Sequence, residues 1–516
     1  MSVLIKSTLS VGSMTLLSRV LGLARDIVIA RFFSASDAAD AFFVAFKIPN
    51  FLRRLFGEGA FSLAFVPVLT EYRSNYSIAQ TRDLIDRVAG TLGSILLLLS
   101  LVGVLASPVV IAVFAAGFLD QPAKFELTSD MLRLTFPYIL LISMTAMAGG
   151  ILNTWKHFAV PAFTPVILNL CMIASAVWLA PRLAVPITAL AWGVLLAGIL
   201  QLLFQLPFLY REGLLPRPKW GWQHEGVQKI VKLMIPALFG SSVAQINLLF
   251  DTFIASFLVT GSVSWLYYAD RLLEFPLGVF GIALATVVLP NLSQAHYKPG
   301  DESFNQTLHW ALQLTLVIAL PATVGLFLLA QPILATLFEY GAFDNHDALM
   351  SAYSLMAYSL GLPAFILIKI LANGFYARQD TRTPVRIGIQ AMCINMGLNV
   401  VFVLSMLNNG FEAPHVGLAL ATTASAYYNA IRLARGLRRD ALLGPVESFS
   451  SPLLKILCAC SVMALLIYFT LPRFDLWGEL PWYQRLTELL RLILPAILCY
   501  AALLWIMGFR RHHFIA

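Results

Sequence analysis

Long apolar stretches without a single charged residue are the feature that most restricts how this chain can fold. They cover residues 88–119, 158–181, 183–210, 310–338 and 387–411. A helix needs about 20 apolar residues to cross the hydrocarbon core of a bilayer, whereas a barrel strand needs only about 10. These stretches are too long for barrel strands and do not alternate between apolar and polar residues, so they predict transmembrane helices.

The composition excludes a soluble protein. Hydrophobic residues make up 59% of the 516 residues and charged residues only 12%, whereas soluble domains carry about 25% charged residues. The five cysteines lie inside apolar stretches without zinc-finger or CxxC spacing, which is typical of small core residues. The first apolar stretch is long and contains arginines, so we do not interpret it as a cleavable signal peptide.

The sequence predicts an all-α polytopic membrane protein with fourteen transmembrane helices. The predicted spans are 7–33, 38–72, 86–114, 127–153, 160–180, 185–210, 228–258, 265–296, 306–330, 347–377, 383–407, 413–436, 453–471 and 488–509. Twenty Lys and Arg residues fall on the side of the N-terminus and five on the other side. Because cations are retained in cytoplasmic loops, both termini are predicted to be cytoplasmic.

An internal repeat of about 224 residues is indicated by matching motifs. The pattern Asp-x-x-x-Ala-x-Phe begins at Asp26 and again at Asp251, and an Ala-Asp pair ends at Asp40 and again at Asp270. Parallel repeats of this kind predict two pseudo-symmetric six-helix lobes around a central cavity, with two extra C-terminal helices. The predicted domains are 1–215 for the N-lobe, 216–440 for the C-lobe and 441–516 for the extra helices.

Four arginines fall within predicted transmembrane helices, at Arg19, Arg25, Arg53 and Arg271. Each would cost roughly 2.5–3.5 kcal/mol at the centre of the bilayer, so we expect them to face water or a carboxylate. One interpretation is structural pairing, of Arg25 with a neighbouring carboxylate or of Arg271 with Glu274. The other is an anion-binding cavity, since the guanidinium fork matches phosphate oxygens.

Proline and glycine predict breaks in two of the charged helices. Pro49, with Gly57 and Gly59, is expected to interrupt predicted helix 2 beside Arg53. Pro276 and the glycine two residues later are expected to do the same in predicted helix 8. Broken helices near the midplane are typical of transporters that change conformation.

The same residues carry a family resemblance. The motifs Ser18-Arg-Val-Leu-Gly-x-x-Arg-Asp26, Asp40-Ala-Phe-Phe-Val-Ala-Phe-Lys-x-Pro-Asn50 and Tyr-Tyr-Ala-Asp-Arg-Leu-x-Glu-Phe-Pro276 resemble the MurJ (MviN) family of lipid II flippases. This family belongs to the multidrug/oligosaccharidyl-lipid/polysaccharide exporter superfamily. The resemblance covers essentially the whole chain and implies a fourteen-helix fold whose two lobes enclose a cationic cavity.

The resemblance also implies a function for individual residues. Lipid II would be flipped from the cytoplasmic to the periplasmic leaflet by alternating access, for cell wall synthesis. Its pyrophosphate would be bound by Arg19, Arg25, Arg53 and Arg271. Gating or organisation of the cavity would involve Ser18, Asp26, Asp40, Asn50, Glu58, Asp270 and Glu274. The last two helices would form a groove for the polyprenyl tail.

Some members of the family are thought to bind sodium in the C-lobe. The corresponding residues here are Asp251, Asn395 and Asn399, with Thr422 or Thr423. Asn399 departs from one family pattern, which has Asp at this position. Interhelical hydrogen bonds are the alternative explanation for these polar side chains.

Other functions fit the sequence less well than lipid II flipping. An exporter of another polyprenyl-pyrophosphate-linked oligosaccharide, or of drugs, is the nearest alternative, although exporters of cationic drugs should have acidic cavities. An enzyme is not expected, because the eight histidines show no metal-ligand spacing and no nucleotide-binding motif is present. We expect a monomer in the bacterial inner membrane that needs no cofactor, driven by sodium, protons or the membrane potential.

Overall fold

The computed structural model describes residues 2–54, 60–281, 284, 288–293, 302–440, 442–443, 447–472 and 477–509. All regular secondary structure in these ranges is helical, which confirms the all-α prediction. The chain divides into two compact units, Met1–Ser264 and Trp265–Ala516. The lobe boundaries placed after residues 215 and 440 stay predictions.

The first unit contains ten complete α-helices in its described part and the first turn of an eleventh. They are α1 Ser2–Phe33, α2 Asp37–Leu52, α3 Ala60–Asn75, α4 Ile78–Leu105, α5 Ser107–Phe114, α6 Pro122–Thr135, α7 Tyr138–Thr154, α8 Ala159–Ala174, α9 Thr188–Arg211, α10 Glu225–Ala255 and α11 Ser262–Pro276. The local sequence determines where several of these helices begin. The Ser36 hydroxyl accepts a hydrogen bond from the Ala39 N–H and caps α2, and Ser77 with Gln80 forms a capping box on α4.

The second unit contains the rest of α11 and eight further α-helices among the residues described. They are α12 Glu302–Leu328, α13 Ala330–Phe338, α14 Asn345–Ser359, α15 Leu362–Tyr376, α16 Arg382–Asn408, α17 Val416–Arg439, α18 Glu447–Thr470 and α19 Trp482–Ile506. After Pro276, α11 changes to a π-helical segment, Leu277–Gly281. This irregularity lies where the sequence predicts a break, because proline removes a backbone donor from the helix.

Several helices are long and apolar enough to cross a membrane. Within the described residues there are eight such spans, or nine if the bent pair of α14 and α15 forms one. This confirms a multi-pass membrane protein, and the count of fourteen stays a prediction. The predicted arginine-bearing helices α1 and α11 are not among these apolar spans.

Each unit has its own hydrophobic core. In the first unit, Phe65 of α3, Leu84 of α4 and Ile151 of α7 are buried together. In the second, α18 and α19 pack on each other and on α12, and the Tyr500 hydroxyl donates to the Val317 carbonyl at 2.7 Å. The last two helices are therefore an integral part of the second unit.

Candidate functional site

A buried ion pair joins Arg25 and Asp26 on α1. Arg25 is 5% exposed and Asp26 is fully buried. The Arg25 Nη2 and Nε atoms lie 2.6 Å and 2.9 Å from Asp26 Oδ1. The pairing of Arg25 with a neighbouring carboxylate, one of the two interpretations drawn from the sequence, is thus present in the fold.

Asn169 of α8 holds this part of α1 in place. Arg25 Nη1 donates to Asn169 Oδ1 at 3.1 Å, and Asn169 Nδ2 donates to the carbonyl of Ser18 at 3.0 Å. One amide therefore connects two predicted site residues that lie two turns apart. Because Asn169 is buried, both bonds replace hydrogen bonds to water.

The other predicted residues of the first unit are more accessible. Arg19 lies on α1 and is partly exposed. Arg53 follows the last residue of α2 and is also partly exposed; its Nε atom donates to Asn50 Oδ1 at 2.9 Å. Glu58 lies outside the described residues.

Asp40 is the centre of a second buried charge cluster, which we call the Asp40 clamp and define as Asp40, Lys124, Gly261 and Ser264. Lys124 Nζ lies 3.1 Å from Asp40 Oδ2, and both side chains are nearly inaccessible. The Gly261 N–H donates to Oδ2 at 2.8 Å. The N–H and hydroxyl of Ser264 donate to Oδ1 at 2.9 Å and 2.7 Å.

The clamp fixes three parts of the first unit to one another. Asp40 lies near the start of α2 and Lys124 in the first turn of α6, whereas Gly261 directly precedes α11 and Ser264 lies in its first turn. Asp37 extends the network, since it accepts from Lys124 at 2.8 Å and from the Thr260 hydroxyl at 2.7 Å. The first turn of α11 is thereby attached to α2.

The predicted residues of the second unit lie further along α11. Arg271 Nη1 is 2.9 Å from Glu274 Oε2, and the two side chains are 31% and 41% exposed. Asp270 is partly buried beside them. The pairing of Arg271 with Glu274, which the sequence also suggested, is present, and it leaves both groups accessible.

The candidate sodium ligands are divided between the units. Asn395 and Asn399 are buried on α16, and the Ser425 hydroxyl on α17 donates to Asn395 Oδ1 at 3.4 Å. The Thr423 hydroxyl donates to the Ala357 carbonyl at 2.8 Å. The second unit therefore offers amide and hydroxyl oxygens, the type of ligand that a hard cation prefers.

Asp251, the carboxylate of the proposed set, lies on α10 in the first unit and is partly buried. Interhelical hydrogen bonds, the alternative drawn from the sequence, account for at least Asn395 and Thr423. Among the described residues, no three His, Cys, Asp or Glu side chains come together as a metal cluster.

Sequence reasoning missed two residues of these networks, Asn169 and Lys124. Asn169 stands out in the apolar stretch 158–181, where it is the one amide side chain. Lys124 is one of the few cations on the predicted periplasmic side. Both are isolated polar residues in apolar or weakly charged surroundings, and a buried polar group of this kind requires a partner.

Comparison with known proteins gives a consistent result along the whole chain. The family model for "Lipid II flippase MurJ" matches residues 29–484. The chain is 48% identical over 515 residues to the probable lipid II flippase MurJ of Haemophilus influenzae, covering 97% of this chain and 99% of the relative. It is 43% identical over 521 residues to the lipid II flippase MurJ of Burkholderia cenocepacia, covering 99% of both.

The fold is similar to that of solved transporters. A structure of lipid II flippase MurJ in an inward closed conformation has a TM-score of 0.78 at 28% identity, covering 96% of this chain and 98% of that one. An inward-facing multidrug transporter of the MATE family has a TM-score of 0.66 at 16% identity, covering 84% of this chain and 98% of that one. The second likeness concerns the fold alone.

Proposed function

Because this chain belongs to the MurJ family of lipid II flippases, we propose that it moves lipid II from the cytoplasmic to the periplasmic leaflet of the bacterial inner membrane. The observation that carries the proposal is the similarity over the full length of flippase relatives. The activity is transport and not catalysis. It would deliver the lipid-linked precursor to the side where peptidoglycan is built.

In this proposal Arg19, Arg25, Arg53 and Arg271 bind the pyrophosphate of lipid II. The support is chemical, since guanidinium groups at membrane depth suit an anion whose headgroup must be sheltered from lipid. The partial exposure of Arg19, Arg53 and Arg271 is compatible with ligand access. Arg25, which is buried against Asp26, would either be uncovered during the cycle or orient the site from within.

We propose alternating access as the mechanism. Two lobes, 1–215 and 216–440, would rock about the bound headgroup and expose it first to the cytoplasm and then to the periplasm. Residues 441–516 would hold the polyprenyl tail beside the second lobe. Both termini would be cytoplasmic, and the protein would act as a monomer.

The driving force is proposed to be the membrane potential. An inside-negative potential favours outward movement of an anion by about 2.3 kcal/mol per charge per 100 mV, so no ion site is required. Sodium is the second candidate, held by Asp251, Asn395, Asn399 and Thr423. It would stabilise one conformation by neutralising the Asp251 carboxylate.

The test is lipid II accessibility at the periplasmic face of cells depleted of their own flippase and complemented with this chain. The parent chain should restore accessibility, and an ionophore that collapses the potential should reduce it. Arg→Ala at each of the four arginines should abolish it while the protein still inserts. Normal complementation by all four variants would exclude the proposed site.

A further inference from the structure

Six exposed arginines lie at one end of α16 and α17. We call them the arginine rim: Arg382, Arg386, Arg432, Arg435, Arg438 and Arg439. Contacts between the two helices set their register. Tyr428 donates to Gln390 at 3.3 Å, and Ser425 donates to Asn395 at 3.4 Å, so residue numbers rise on one helix as they fall on the other. The same antiparallel register places the first turns of α16 beside the last turns of α17.

The acidic residues at this end are already engaged. Asp380 accepts hydrogen bonds from the backbone N–H groups of Arg382 and Thr383 at 3.1 Å and 3.0 Å, and so caps α16. Asp440 pairs with Arg378 at 2.7 Å. Within the described part of the chain, no arginine of the rim has an ion-pair partner. The rim is therefore a concentration of cations that the described residues do not neutralise.

Some of the cations predicted to be cytoplasmic in the first unit are paired with carboxylates, whereas others, such as Arg211 and Arg217, are exposed. Arg87 pairs with Asp83 at 2.6 Å, and Lys229 pairs with Glu71 at 2.5 Å. The orientation of a membrane protein requires an excess of cations on the cytoplasmic side, and paired cations are compatible with it. Orientation thus requires an excess of cations, but it does not require six arginines together at the ends of two packed helices.

An apolar surface continues from the rim along the same face of α16. Ile389, Val400 and Leu404 are 43%, 41% and 52% exposed. They follow Arg382 and Arg386 at helical spacing, so that they share one face with them. An exposed apolar face that ends in guanidinium groups matches a phospholipid, whose acyl chains lie below its phosphate. Binding of an acidic protein to the arginines would not account for the exposed apolar face of α16.

We propose that the arginine rim binds the phosphate groups of anionic phospholipids in the cytoplasmic leaflet. Each guanidinium can donate two parallel hydrogen bonds to phosphate oxygens, which a lysine cannot. Two helices contribute, so one headgroup can be held between Arg386 of α16 and the arginines of α17. The proposal concerns lipids around the protein and does not depend on the transported substrate.

The first experiment compares two double variants of the purified full chain. Each protein is titrated with phosphatidylglycerol or phosphatidylethanolamine, and bound lipid is counted by native mass spectrometry. Arg386→Gln with Arg435→Gln should weaken phosphatidylglycerol binding about tenfold or more and leave phosphatidylethanolamine binding unchanged. Arg211→Gln with Arg217→Gln removes the same charge from exposed arginines of the first unit and should have little effect.

The outcomes distinguish lipid binding at a specific site from general electrostatic attraction between lipid and protein. Equal losses in both double variants would overturn the proposal, because the effect would then follow net charge alone. Unchanged phosphatidylglycerol binding in the Arg386–Arg435 variant would overturn it as well and would favour an acidic protein partner. Arg386→Lys with Arg435→Lys keeps the charge and should bind with an affinity between those of the parent and the glutamine variant.

A second experiment uses the unaltered chain and so does not depend on the folding of any variant. Hydrogen exchange is measured in nanodiscs of phosphatidylcholine, with and without phosphatidylglycerol. Exchange should slow in peptides covering residues 378–390 and 430–440 when phosphatidylglycerol is present. The absence of slowing there, or equal slowing over residues 211–232, would contradict a lipid site at the rim.

Discussion

The Arg25–Asp26 pair illustrates how a membrane helix accommodates full charges at single residues. The two residues are adjacent in sequence, so their pairing requires no contact between distant elements. Asn169, 144 residues away from Arg25, adds a hydrogen bond that only the folded chain can provide. The sequence therefore identified Arg25 from the cost of a charge in the membrane and Asp26 from the family resemblance. It could not identify Asn169, because the contact depends on how α8 packs against α1.

Replacing Asn169 should show the importance of this contact. Asn169→Leu leaves a guanidinium nitrogen of Arg25 and the Ser18 carbonyl without their bonds to this amide. We expect a loss of about 1–3 kcal/mol in stability, measured by thermal unfolding of the purified protein. Asn409→Leu makes the same substitution at an exposed helix end and should change the melting temperature little. Equal effects of the two variants would contradict the assigned role.

Glu339, in the turn after α13, should make stability depend on pH. Burial raises the pKa of this carboxyl, and Asp344 acts in the same direction, whereas the charge of Arg485 opposes them. Because the folded state favours the protonated form, stability should fall as pH rises above 4.5, the ordinary pKa of Glu, and through the higher folded-state value.

The test is the thermal unfolding of Glu339→Gln across this pH range. Gln cannot ionise, so the variant should be more stable than the parent at neutral pH. The difference should shrink as the pH is lowered towards 4. A variant whose melting temperature shows the same pH dependence as that of the parent would rule out Glu339 as the source.

Among the elements, the start of α11 and the residue before it are held by a buried carboxylate. Asp40 accepts three hydrogen bonds from Gly261 and Ser264, and Lys124 of α6 neutralises its charge. The sequence predicted Asp40 as a site residue from family resemblance. It could not predict that α6 supplies the counter-charge, because Lys124 was assigned to a loop by its position between apolar stretches.

A double-mutant cycle should measure this coupling. Lys124→Met leaves Asp40 buried without its cation and should cost about 3–5 kcal/mol. The double variant Lys124→Met with Asp40→Asn removes both charges and should be clearly less destabilised than the sum of the single variants. Additive single effects, measured by thermal unfolding in detergent, would indicate that the two residues act independently.

Close packing of α4 against the segment before α10 gives a further prediction. A Cβ atom on Gly90 of α4 would lie 2.2 Å from the backbone oxygen of Lys219. Because backbone atoms cannot rotate away, Gly90→Ala should destabilise the protein by about 1–3 kcal/mol. Gly325→Ala on α12 has open space and should be neutral or stabilising by about 0.5–1 kcal/mol. A neutral Gly90→Ala variant would contradict this packing.

For the whole molecule, the sequence predicted the class of fold better than its detailed construction. Long uncharged stretches identified a helical membrane protein, because the bilayer imposes a minimum length on each span. The same reasoning is weaker where helices carry charges, as at Arg19 in α1 and Arg271 in α11. The hydropathy of these helices is not sufficient to assign them as spans, and the count of fourteen depends on charge bias and parity.

Topology is the property by which this count can be checked. With the N-terminus in the cytoplasm, fourteen crossings would place the C-terminus there too and the turn Ala116–Asp120 in the periplasm. A reporter active only in the cytoplasm should work when fused after Ala516 and fail when inserted into that turn. If a reporter that is active only in the periplasm is active when fused to the C-terminus, the number of crossings is odd.

The Asp40 clamp also has a consequence during synthesis. Asp40 precedes Ser264 by 224 residues and Lys124 by 84 residues. At about 5–20 residues per second, the ribosome needs roughly 11–45 s to add the last donor after this carboxylate has been made. Lys124 follows within roughly 4–17 s and is the first partner to emerge. During this time the Asp40 carboxylate lies near the bilayer without its hydrogen-bond donors. Because Lys124 is synthesised first, it shortens the time that the carboxylate spends without a counter-charge.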